Sequence, residues 1–200
     1  MSTRCRTART IDGFPLTAGM SKDQFLALEK IIKNTTEGFT GEMAGEYLSL
    51  TDMSPEKKKQ LIEEHYLYND PDDLMIAANT ASYWPAGRGI FMNKDKTFIV
   101  WCCEEDHTRF ISMQKGGNLS QVVGRLSKAL EECEKSFNFV MSEKYGCIAS
   151  CPTNIGTGIR CSVLLKIPKL SKNMELLKEI TARWNLQVFR YISHLNYNNF

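Results

Sequence analysis

The stretch TFIVWCCEEDHTRF, residues 97–110, constrains this chain more than any other. Its first half, TFIVWCC (97–103), is a continuous apolar run of strong strand formers and reads as a buried strand. Its second half delivers three acids, a histidine and an arginine without a break. A buried strand that empties directly into charge is the kind of strand end where functional groups gather. If the strand continues, Glu104 and Glu105 point to opposite sides, so only one of them faces a cleft. Arg109 then serves either as a phosphate ligand or as a partner for Asp106. His107 reads as a structural hydrogen-bonder rather than a catalyst.

The segments around this run mix helices and strands without a βαβ rhythm. SKDQFLALEKIIK (21–33) has capping-box spacing between Ser21 and Gln24 and an apolar stripe of Phe25, Leu28, Ile31 and Ile32. A second helix is expected from Ser54 as cap with Pro55 at its first position. A third spans 119–135, with Val122, Leu126, Ala129, Leu130 and Cys133 at helical spacing, which makes Cys133 a core residue. A fourth follows Ser171, with Met174, Leu177, Ile180 and Trp184 inward. RFISM (109–113) and YGCIAS (145–150) read as strands. RCSVLLKI (160–167) alternates, with Cys161, Val163, Leu165 and Ile167 on a core face and Arg160 on the other. The expected class is α+β, a mostly antiparallel sheet flanked by helices.

At 200 residues, 42% of them hydrophobic, the chain suits one large domain. A formal net charge of +2 gives no general case for nucleic acid or membrane binding. No apolar run approaches the roughly 18 residues of a membrane span. Seven cysteines without a secretory apolar stretch read as reduced thiols of a cytoplasmic compartment. The opening MSTRCRTAR shares the acid-free composition of mitochondrial transit peptides but lacks their apolar face, so the cytoplasm is expected.

Two further segments place charge where a core has no use for it. In STRCR, a strand would put Arg4 and Arg6 on one face as two guanidinium forks, a pair suited to a polyphosphate. Two solvated arginines near a terminus are the alternative. In CPTNIGTGIRCSV, Cys151 precedes a proline and stands nine residues ahead of Arg160. It is either an inert residue packed in a turn or a thiolate held in a positive field. Cys102 and Cys103 are adjacent rather than spaced as C-x-x-C, so no metal site is expected. Neither G-x-x-x-x-G-K-[ST] nor G-x-G-x-x-G occurs; if ATP binds, arginines hold it.

STRCR, WPAGRGIF, WCCEEDHTRFISMQKGGNLSQV, CPTNIGTGIRCSV and IPKL stand in an order and approximate spacing that resemble the phosphagen kinases. These are the ATP:guanidino phosphotransferases, among them arginine, creatine and taurocyamine kinases. The resemblance implies that residues 1–188 are their catalytic domain, incomplete, with the family's helical N-terminal domain absent and 189–200 a divergent tail. It implies reversible transfer of the ATP γ-phosphoryl group to a guanidino substrate such as arginine. Arg4, Arg6, Arg109 and Arg160 would clamp the nucleotide phosphates. Ser2, Thr3, Cys5, Cys161, Ser162, Val163 and Leu164 would belong to the same nucleotide surface. Glu105 would hold the substrate guanidinium, with Cys151 beside it as a thiolate. Mg²⁺ would arrive on ATP or ADP, with no protein metal site. Partners would be the nucleotide and the guanidino compound, with a homodimer or association with a full-length kinase possible.

The chain departs from the family pattern at Met92, where relatives carry a histidine, and at Cys103, where they carry an asparagine. After NLQV (185–188) relatives continue with a glycine-rich loop bearing a phosphate-binding arginine. Here FRYISHLNYNNF follows, and Arg190 does not inherit that role. The strand face of Val163 is then expected to lie uncovered. An impaired isoform or fragment that only binds nucleotide or a kinase partner is the alternative function. A cysteine-based redox or metal protein is a third reading.

Overall fold

The computed structural model describes residues 1–189; the rest of the divergent tail, Arg190 included, lies outside the described residues. In chain order the elements are β1 (Ser2–Arg9), α1 (Lys22–Glu37), β2 (Gly45–Ser49), α2 (Pro55–Glu63), α3 (Asp73–Ala77), β3 (Gly89–Asn93) and β4 (Phe98–Cys102). There follow β5 (Thr108–Lys115), α4 (Leu119–Glu134), β6 (Met141–Ser142), β7 (Gly146–Cys147), β8 (Ile159–Leu164) and α5 (Met174–Ala182). Six strands form one sheet in the order β2-β3-β4-β5-β1-β8, every pairing antiparallel. The expected class, helices around a mostly antiparallel sheet, is the observed one.

The run 97–103 has no polar break because β4 is buried on both faces. Phe98, Val100 and Cys102 pack with Phe25, Leu28 and Ile32 of α1 and with Val122, Leu126, Ala129 and Cys133 of α4. Ile99 and Trp101 point the other way, into a second cluster with Ile90, Ile111, Leu61, Leu67 and Tyr68. Full burial of Phe98, Ile99 and Val100 contributes about 1.5–3 kcal/mol each. The second cluster covers β3, β4 and part of β5. Beyond it, the same face of β5, β1 and β8 carries Arg109, Arg4, Arg6 and Arg160. Antiparallel register sets this: Arg6 opposes Ile111 on one side and Arg160 on the other.

The helix starts follow their capping residues. Ser21 Oγ accepts from Gln24 N at 3.3 Å, and Ser21 N donates to Gln24 Oε1 at 2.8 Å. Ser54 Oγ accepts from Lys57 N at 3.2 Å, with Pro55 at the first helical position. α1 runs past residue 33 to Glu37 because Thr36 is buried and its hydroxyl bonds back to Ile32 O at 2.8 Å.

Four expectations are corrected. YGCIAS forms only the two-residue β7, Gly146–Cys147, which pairs with β6 outside the six-stranded sheet. α5 exists, but its apolar side is not inward: Trp184 is 74% exposed, and no α5 residue is buried. β8 alternates as read, yet all its residues are exposed, since among the described residues it is the sheet edge and pairs only with β1. The uncovered Val163 face is thus observed. Last, not every cysteine is a free thiol. Register places Cys5 opposite Cys161 with Cα atoms 4.1 Å apart, and the two form a disulfide. Among the described residues no helix is long and apolar enough to cross a membrane.

Candidate active site

The site begins where β4 stops. Cys103 takes φ +51°, which ends the strand and swings the next two residues out of its alternation. Glu104 and Glu105 therefore do not part to opposite sides, as a continued strand would require. Both reach Arg109: Glu104 Oε2 lies 3.2 Å from Nη1, and Glu105 Oε2 lies 3.1 Å from Nη2. Arg109 stands at the start of β5 with its guanidinium 5.4 Å from the Trp101 ring centre. Asp106 is not its ion partner. Burial raises the Glu104 carboxyl, Arg109 draws it down, and Glu105 pushes it up again.

On β1 the burial pattern puts Arg4 and Arg6 on one face and Cys5 on the other. Burial, then the charges of Arg6 and Arg109, pull Arg4 down to about 10, so it is still a cation at neutral pH. Arg6 is lowered by burial, then by Arg109 and Arg160. Arg4 Nε is buried with no hydrogen-bond partner among the described residues. Such a cluster repels itself and leaves donors unused, which an anion with several oxygens would correct. Ser2, Thr3, Ser162, Val163 and Leu164 lie on the same two strands, with Ser2 opposite Leu164 and Thr3 opposite Val163. Thr3 is spent on Gly116 O at 2.8 Å, and Cys5 and Cys161 on each other.

Cys151 approaches from a separate loop. Its base is closed by Cys147 N donating to Gly156 O at 2.8 Å and Gly156 N donating to Cys147 O at 3.1 Å. Gly146 is required there, since a Cβ would stand 2.7 Å from Gly156 O. A short 3₁₀ turn, Pro152–Asn154, follows the cysteine, whose Sγ lies 3.1 Å from Thr153 Oγ1. Burial and the neighbouring Glu105 push the Cys151 thiol up, against the pull of Thr153. Burial and Glu105 outweigh the positive field expected to keep a thiolate, and Glu104 and Glu105 take up the guanidinium of Arg109.

Sequence reasoning missed what joins these pieces. Asp106 Oδ1 accepts from Ser150 N at 2.6 Å and Cys151 N at 3.1 Å, while Oδ2 accepts from Asn154 Nδ2 at 2.7 Å. Thr17 Oγ1 donates to Glu105 O at 2.7 Å and lies 2.9 Å from Ser150 Oγ. The signal available is in the EEDH and CPTN blocks, where Asp106 reads as a partner for Arg109 and Asn154 carries no role. Among the described residues no cluster of His, Cys, Asp and Glu is placed to hold a metal ion.

The sequence profile of the ATP:guanido phosphotransferase C-terminal catalytic domain matches residues 27–193. The chain is 49% identical over 187 residues to a taurocyamine kinase of Schistosoma mansoni, covering 94% of this chain and 25% of that protein. It is 45% identical over 188 residues to an arginine kinase of Homarus gammarus, covering 94% and 53%. Superposition on the Schistosoma mansoni duplicated taurocyamine kinase with bound transition-state-analogue components gives a TM-score of 0.85 at 50% identity, over 93% of this chain and 26% of that one. A lombricine kinase structure gives 0.84 at 35% identity, over 90% and 51%. The chain thus spans about a quarter to a half of the length of these relatives. An arginine-lined strand face that ends at a carboxylate pair and a loop cysteine, on this sheet and with these relatives, places the chain in the phosphagen kinase family, as its ATP:guanido phosphotransferase catalytic domain.

Proposed function

We propose that the chain transfers the γ-phosphoryl group of ATP, reversibly, to a guanidino substrate such as arginine. The observation that carries this reading is the set of Arg4, Arg6 and Arg160, without a salt bridge among the described residues, running along one sheet face to Glu105 and Cys151. Phosphoryl transfer asks a protein mainly for alignment and for positive charge around the moving group. Arg4, Arg6, Arg109 and Arg160 meet the second demand. Mg²⁺ bound to the nucleotide phosphates supplies further charge neutralisation.

Glu105 already grips a guanidinium, that of Arg109, at 3.1 Å. In this reading the substrate's guanidinium takes that place, and Arg109 turns to the phosphates. The attacking nitrogen must lose a proton, and Glu105 is the acceptor within reach. A cation arriving beside Cys151 would draw its thiol toward the thiolate, so the cysteine is a cation contact and not a covalent nucleophile. The nucleotide and the guanidino compound are the partners.

The test is the reverse reaction: purified chain, MgADP and phosphoarginine, with luminescent detection of ATP. Wild type is expected to form ATP, and Glu105→Gln to lose about 10²- to 10⁴-fold in kcat. Unchanged turnover in Glu105→Gln would remove its assigned role. A chain that binds MgADP but forms no ATP would support a nucleotide-holding function, in which Arg109 permanently occupies the guanidinium position.

A further inference from the structure

We propose that Asp106 is a positioning residue that sets Cys151 against Glu105. The proposal rests on the reading of those two residues as substrate contacts. Asp106 is 2% exposed, and among the described residues its side-chain hydrogen bonds come from one loop: Ser150 N, Cys151 N and Asn154 Nδ2. The ion pairs at this corner go elsewhere, to Glu104 and Glu105. A buried carboxylate that makes no ion pair among the described residues, and instead gathers donors from a loop 44 to 48 positions away, is holding that loop.

The base of the loop is closed by the Cys147–Gly156 pair. Its tip is a single 3₁₀ turn, Pro152–Asn154, outside the six-stranded sheet, and Pro152 has no N–H to donate. Asp106 stands next to Glu105 in the chain, and Ser150 next to Cys151. Thr17 joins Glu105 to Ser150, and Asp106 joins the strand end to Ser150 and Cys151. Two parallel ties therefore fix the carboxylate and the thiol relative to each other. An aspartate suits this because it is acceptor-only and every group facing it is a donor. Asparagine would turn an NH₂ group toward either Asn154 Nδ2 or the two backbone N–H groups.

The test compares Asp106→Asn with the double variant Asp106→Asn/Asn154→Asp, which exchanges donor and acceptor and restores the contact at unchanged net charge. The first readout is the rate of iodoacetamide alkylation of Cys151 in the native protein, located by peptide mass spectrometry. The other free cysteines, Cys102, Cys103, Cys133 and Cys147, are buried. The second readout is kcat and KM for MgADP in the reverse reaction. Release of the loop is expected to raise the alkylation rate several-fold. It should lower kcat by about 10²-fold, the order a misplacement near 1 Å costs, with KM for MgADP little changed. The double variant should recover most of both.

Unchanged alkylation and kcat in Asp106→Asn would overturn the proposal, as would a double variant no better than the single. If Asp106→Asn does not fold, Asn154→Ala removes one of the three bonds and should move both readouts in the same direction. If wild type forms no ATP, the proposed function fails. The alkylation rates still decide the role of Asp106 on their own.

Discussion

His107 sits between two backbone groups: its Nδ1 accepts from Ile11 N at 3.1 Å, and its Nε2 donates to Pro15 O at 2.8 Å. The neutral ring satisfies both. A second proton would set an Nδ1–H against the Ile11 N–H in a fully buried position. Burial accordingly pulls His107 down from 6.5 to about 4. The unfolded chain takes up this proton below about 6.5 and the folded chain only near 4, so stability is lost as pH falls through that window. The loss is on the order of 3 kcal/mol, from about 2.5 pK units at 1.36 kcal/mol each. Glu104 and Asp106, both raised mainly by burial, act in the opposite sense and partly offset it. The clean measurement is therefore a difference. Urea denaturation at pH 7 and pH 4.5 should show wild type losing more stability than His107→Gln, which can keep both hydrogen bonds without titrating. Equal losses would show that His107 does not carry the dependence. The structural role of His107 was legible in the sequence; the ties of Asp106 and Thr17 were not. They join positions 44 and 133 residues apart, and neither has a local pattern that announces its partner.

Among the elements, β8 is the one whose setting the sequence misjudged. Its alternation is real, and Arg160 does fall on the face of Arg6. Alternation reports which side a residue points to, but not whether anything lies there. β4 could be read correctly because burial on both faces removes polar residues altogether, a signal independent of neighbours. α5 fails for the same reason as β8: its stripe is amphipathic, and among the described residues nothing closes over it. β8 is held by the β1 ladder and by the Cys5–Cys161 bond, which closes a separation of 156 residues. Cys161→Ser should lower stability to urea by about 2–4 kcal/mol, and a reductant should do the same to wild type but not to the variant. Thiol titration of the unreduced, denatured chain should count five of the seven cysteines. Finding all seven free would show that the bond does not form in solution.

For the whole molecule, the sheet divides its labour by face. One face is closed by α1 and α4 over aromatic and aliphatic side chains, and it holds the chain together. The other is closed over β3 and β4 and then gives way to arginines on β5, β1 and β8. In that second half Arg109 is paired with Glu104 and Glu105, whereas Arg4 and Arg6 are lowered by burial and by neighbouring arginines. Arg4 is depressed to about 10 by burial and by its neighbours, and its Nε makes no hydrogen bond among the described residues. Stability given up at one place for binding is the ordinary trade between the two. It makes a paired prediction. Arg4→Met replaces a strained cation with an apolar chain of similar length, and it should raise the free protein's melting temperature. MgADP at about 100 times its Kd should stabilise wild type by about 2.7 kcal/mol, a shift of roughly 5–10 °C for a chain of this size. In Arg4→Met most of that shift should disappear at the same concentration. Differential scanning calorimetry with and without MgADP measures both. A variant that is no more stable when free, or one that keeps the full shift, would mean that Arg4 is scaffold and that the anion sits elsewhere on the sheet.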